Sequence, residues 1–108
     1  MAALNIQTET INSNPLDTVE QLIECNDWAF DRSGDDEIAF KVPGTWCDYN
    51  LFFAWNEEAG AVHFSCAFDM RVPDDRWPFV CELLAMVNEK MWMGHFGVWT
   101  DEALPMFR

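Results

Sequence analysis

Positive charge is scarce in this sequence. Six Lys or Arg stand against nineteen Asp or Glu among 108 residues, a formal net charge of −13 at pH 7 with His neutral. Phosphate backbones are held by clustered Lys and Arg, so direct nucleic-acid binding is disfavoured. No apolar run approaches the roughly 20 residues of a membrane-spanning helix. Residues Met1 to Ile11 have neither a basic region nor a hydrophobic core, so they do not read as a signal peptide. Cys25, Cys47, Cys66 and Cys81 form no Cys-x-x-Cys pair, which removes zinc-knuckle and thioredoxin-like readings. Each lies in or beside an apolar segment, where Cys acts as a small hydrophobe; reduced thiols in a cytoplasm are the consistent reading. There is no Gly-x-Gly-x-x-Gly, no phosphate loop, no internal repeat and no low-complexity stretch.

Apolar material is plentiful. Half of the residues are hydrophobic and 15% are aromatic, including six Trp, nine Phe and one Tyr. That excludes a disordered chain and is enough for one domain with a real core. The net charge exceeds the magnitude of about 2–8 usual for a small soluble domain. Solubility is the first reading of that excess, and steering toward a basic partner the second. The acids are spread along the chain, densest at Asp35, Asp36 and Glu37, with no acidic tail.

The polar residues 1–13 read as a flexible tail. Asn14-Pro15 then opens a helix, with Asn14 as N-cap, Pro15 at the first helical position and Asp17 at the positive end of the dipole. Leu16, Val19, Leu22 and Ile23 share its apolar face, and the helix should end near Asn26. A short strand is expected at Trp28 to Asp31, and a turn at Ser33-Gly34-Asp35-Asp36. Strands at Glu37 to Val42, Asp48 to Trp55 and Ala61 to Met70 follow as an antiparallel meander. Tyr49, Leu51, Phe53 and Trp55 take one face of the middle strand. Val62, Phe64, Cys66, Phe68 and Met70 take one face of the next.

Pro73-Asp74-Asp75 starts a second helix expected to run to about Met93, with Val80, Leu83, Leu84, Val87 and Met91 as its core face. Apolar residues wrap more of it than one sheet contact needs, which points to cover on a second side. After Gly94, strands are expected at His95 to Trp99 and from Leu104 to Arg108, joined by a turn at Thr100-Asp101-Glu102. The fold class is therefore α+β: a three-stranded meander plus one or two further strands, with two helices. An end at Pro105-Met106-Phe107-Arg108, without polar residues before the last, reads as a truncated or proteolysed terminus.

Several words in this order carry a resemblance: NPLDTVEQLIE, W-x-F-D-R-S-G-D-D-E-I, PGTWCDYNLFFAW, FSCAFDMRVP and GHFGVWTDEALPMFR. Together, from Asn14 to Arg108, they are similar to the YbjN-like family, whose members are labelled bacterial sensory transduction regulators. The resemblance implies a bacterial cytoplasmic protein with the fold of type III secretion chaperones, which are small, acidic, mostly dimeric and bind partner polypeptides. It also implies a further strand and a C-terminal helix after Arg108, so this chain would lack the family's C-terminal helix.

Catalytic and metal readings find little support. His63 and His95, with Cys66 or Asp69, would make a metal cluster only if the strands aligned, and no His-x-x-x-His or tight ligand spacing is present. An EF-hand reading from Asp31 fails, because its sixth and twelfth positions hold Asp36 and Val42 instead of Gly and Glu. Ser65 and the cysteines lack a local base motif. Both faces of the central strand are apolar, since Phe52 and Ala54 oppose Phe53 and Trp55. The expectation is a non-enzymatic, chaperone-like or regulatory domain that binds a polypeptide partner, or a second copy as a homodimer. Phe52, Phe79, Met86, Trp92 and Met93 are its candidate contacts. No cofactor and no membrane partner is expected. The alternative is a metal-binding protein or enzyme using His63, His95 and nearby acids.

Overall fold

The computed structural model describes residues 14–108; the expected tail at 1–13 lies outside the described residues. Helix α1 spans Pro15–Cys25 and opens as expected: the Asn14 side chain accepts the Leu16 N–H at 2.9 Å, and Pro15 occupies the first turn. Strands follow at β1 Phe30–Ser33, β2 Glu37–Pro43, β3 Asp48–Asn56 and β4 Ala61–Phe68. A 3-10 turn at Asp74–Arg76 leads into α2, Trp77–Glu89, and the chain closes with β5 Phe96–Trp99 and β6 Leu104–Phe107. The architecture is α+β, with six antiparallel strands in the order β1-β2-β3-β4-β6-β5. The first strand begins two residues later than expected, and the last strand inserts between β4 and β5.

Two compact units divide the chain. In the first, comprising residues 14–40 and 52–63 of the described chain, Leu16, Ile23 and Ile38 are fully buried. Val19, Trp28, Phe40, Phe53 and Trp55 pack against them. The Phe40 ring lies parallel to Trp28 on one side and to Phe53 on the other, with centroids 6.2 and 6.0 Å apart. Leu22, expected on this face, is exposed instead. It sits a residue before Ile23 and so is rotated about 100° off the buried line. Arg32 on β1 reaches back to the helix and meets Asp17 at 3.0 Å and Glu20 at 3.3 Å.

In the second unit, residues 41–51 and 64–108, rings form a chain of contacts. Tyr49 meets Phe68 edge-on at 5.5 Å, Phe68 meets Phe96 at 6.1 Å, and Phe96 meets Phe107 at 5.2 Å. β5 and β6 pair from Phe96↔Phe107 to Trp99↔Leu104. Gly94, at φ 73°, lies against the Phe107 ring where a side chain would collide. β6 pairs with β4 only at Cys66↔Phe107 and Ala67↔Met106. The next partner of Phe68 would be Pro105, which has no N–H to give. The Phe68 carbonyl accepts from the Met70 N–H instead, at 2.7 Å, and β4 ends there. That is why Met70, expected within the strand, lies beyond it and is exposed, as is Val62 at the strand's other end.

Candidate functional site

Helix α2 has two unlike apolar sides. Trp77, Val80, Leu84 and Asn88 are half-buried and form its inner line. Phe79, Leu83, Met86 and Val87, at spacings of four, three and one, form a second line exposed to 61%, 45%, 59% and 39%. No residue of this helix is fully buried. Leu83 and Val87 were expected in the core face together with Leu84. The sheet contact takes a narrower stripe, centred between Val80 and Leu84, and leaves them outside. Sequence reasoning missed them as surface residues because hydrophobicity alone cannot rank two apolar sides of one helix.

The helix also ends earlier than Met93. Lys90 and Met91 donate to the carbonyls of Val87 and Asn88, at 3.1 Å each, tightening the last turn. The Asn88 side chain meanwhile bonds to both backbone groups of Phe96. Trp92 and Met93 therefore lie on the segment after the helix, at 89% and 65% exposure. Four of the five expected contact residues, Phe79, Met86, Trp92 and Met93, are thus exposed within one unit. Phe52 belongs to the other unit, where it is half-buried and faces His63 with ring centroids 6.5 Å apart. Trp46, exposed to 85%, carried no distinguishing signal in the sequence.

Charge is uneven between the units. Residues 14–40 and 52–63 hold ten acids and one base, Arg32; residues 41–51 and 64–108 hold eight acids and five bases. The lone base is engaged. Burial works against the Arg32 charge, but hydrogen bonds and attraction from Asp17 and Glu20 outweigh it and hold its pKa above the ordinary value. In the same unit the turns after β1 and β3 border an open concavity of about 730 Å³, lined by Asp36, Glu37, Trp55, Glu57, Glu58 and His63 among others. The Trp55 N–H donates to the Asp36 carbonyl at 2.8 Å, tying the turn after β1 to strand β3.

Among the described residues no group of three or more His, Cys, Asp or Glu is placed to hold a metal ion. The four thiols are free, with Cys25 and Cys81 exposed. Burial, assisted by nearby Cys47, pushes the Cys66 thiol up, the opposite of an activated nucleophile. No described helix is long and apolar enough to cross a membrane.

No curated protein and no solved structure matches the chain. A family model does, over residues 15–108, under the description "Putative bacterial sensory transduction regulator". By that match, which takes in both helices and all six strands, the chain belongs to the YbjN family.

Proposed function

We propose that this chain is a non-enzymatic regulatory domain, chaperone-like in action, that captures a partner polypeptide on the exposed side of α2. The observation that carries this reading is the line Phe79, Leu83, Met86 and Val87, four large apolar side chains open to solvent on one helix face. Adjacent exposed apolar side chains mark interaction surfaces on soluble proteins, whereas scattered single ones do not. Trp92 and Met93, exposed on the segment after the helix, are further contact candidates. Trp and Met suit that role, one as a large rigid anchor and the other as an adaptable filler. Phe52 is a further contact candidate in the other unit. The acidic surface supplies solubility and selection by charge. Free thiols fit action in the cytoplasm.

The test is capture from a bacterial lysate by the natural chain and by a Phe79→Glu/Met86→Glu variant. A polypeptide retained by the first and lost by the second is the expected result. Equal retention by both would remove α2 from the reading. Light scattering on the same samples separates a foreign partner from a second copy, since a homodimer on this face would dissociate in the variant.

A further inference from the structure

We infer that the occupant of the α2 face is an amphipathic helix of another polypeptide, with Lys or Arg flanking its apolar stripe. The inference rests on the protein-binding reading above and adds the chemistry of the partner.

Shape supports a helix. Phe79, Leu83, Met86 and Val87 follow the i, i+4, i+7, i+8 spacing by which one helix packs along another. The backbone groups within α2 are bonded along the helix itself, so this face offers no row of free N–H and C=O groups to a docking strand. Its thirteen residues span about 20 Å at 1.5 Å each, room for three to four turns of a partner.

Charge supports a basic flank. Glu82 and Glu89 lie seven residues apart on the helix, and Asp75 stands a further seven back in the 3-10 turn. In heptad terms, Phe79 and Met86 share one seam position, Leu83 takes the other, and Glu82 and Glu89 fill one flanking position, with Asp75 just ahead of the helix in the 3-10 turn. All three are exposed. Arg76 and Lys90, seven residues before and after Leu83, place one base at each end of the stripe beside Asp75 and Glu89, so Glu82 at mid-helix is the acid of this edge with no base next to it in sequence. A helix with Lys or Arg along the facing edge would complement it.

The same edge opposes a second copy. In a two-fold antiparallel pairing of helices, equivalent flanks face each other, so acids would meet acids. Each copy also carries a net charge of −13. A foreign basic helix meets neither penalty.

The probes are two synthetic three-heptad peptides with Leu on the seam, one with Lys and one with Glu on the flanks. Binding is read by fluorescence anisotropy as salt is varied. The natural chain should bind the Lys peptide about tenfold more tightly than the Glu peptide, from several exposed charge pairs changing sign. Glu82→Lys/Glu89→Lys should abolish or reverse the preference, and Glu82→Gln/Glu89→Gln should reduce it. Circular dichroism checks that these surface variants keep their helix. A preference for the Lys peptide untouched by both double variants would reflect the acidity of the whole chain and overturn the inference. Equal binding of both peptides, lost in Phe79→Glu/Met86→Glu, would overturn the basic-partner inference and leave protein binding by α2 standing. Binding that survives the apolar double variant would defeat both. Absence of binding by either peptide, or a stable homodimer sealing the face, would also overturn the inference.

Discussion

Asn88 of α2 and Phe96 of β5 exchange two hydrogen bonds: the Asn88 Nδ2 donates to the Phe96 carbonyl at 2.8 Å, and the Phe96 N–H donates to the Asn88 Oδ1 at 2.6 Å. Among the described residues β5 is an edge strand. His95 and Arg108 exchange backbone bonds across β5 and β6, at 2.8 and 3.0 Å, so alternation turns the groups of Phe96 outward. One amide side chain stands where the backbone of a further strand would be. It fixes the end of the helix to the sheet and blunts the edge that an antiparallel sheet otherwise presents.

Replacing Asn88 by Leu should therefore cost about 1–3 kcal/mol, the penalty for stranding two part-buried backbone groups. Asn88→Asp keeps the acceptor for the Phe96 N–H but loses the donor, and should fall between Leu and the natural residue. Urea unfolding gives the ranking. Light scattering should also show the Leu variant associating, because the groups of Phe96 become available for edge pairing. A Leu variant as stable as the natural chain would remove the edge-cap role.

The two sides of α2 should separate cleanly by mutation. Leu84→Ala, on the inner line, is expected to lower stability by about 1–3 kcal/mol, less than a fully buried Leu because the site is half-buried. Met86→Ala, two residues on, should stay within about 0.5 kcal/mol. Equal losses would mean that Met86 is covered in the isolated chain.

Around α1 the expected costs follow burial. Ile38→Ala empties the centre of the first unit's core and should cost about 2–5 kcal/mol. Asn14→Ala removes the N-cap bond and should cost about 1 kcal/mol. Thermal unfolding followed by far-ultraviolet circular dichroism measures both.

The thiols should differ in reactivity and leave a mark at alkaline pH. Cys25 and Cys81 are exposed and should be alkylated by iodoacetamide well before Cys66. Because the folded Cys66 pKa lies above its unfolded value, the unfolded chain loses this proton first as pH rises. Stability is thus unaffected by this group below the ordinary thiol range and falls as pH climbs through and above it. Cys66→Ala should flatten that part of the profile. Unchanged alkaline sensitivity in the variant would assign it to other groups.

Much of the fold could be read from local chemistry. Asn14-Pro15 marked the start of α1 because capping is a local property, and β2, β3 and β4 showed the two-residue alternation of strands. What escaped depends on distant partners. The insertion of β6 between β4 and β5 leaves no local trace, since either neighbour would satisfy the same short apolar strand. The stop of α2 at Glu89 escaped because Asn88 bonds to Phe96, eight residues on. The exposed state of Phe79 and Met86 matched the expectation of an apolar excess on this helix. That of Leu83 and Val87 did not, because choosing between apolar sides requires the sheet position.

The disposition of the tryptophans gives the protein an optical asymmetry. Trp28 and Trp55 sit against the first unit's core, while Trp46 and Trp92 stand almost wholly in water, Trp92 three residues past the last residue of α2. Light emitted from Trp92 is red-shifted by its solvent, and a docking polypeptide that dried it would shift that emission toward the blue. Comparison of the natural chain with a Trp46→Phe variant would isolate the Trp92 signal and make it an intrinsic spectroscopic probe of the docking proposed on α2, one that needs no dye and no label.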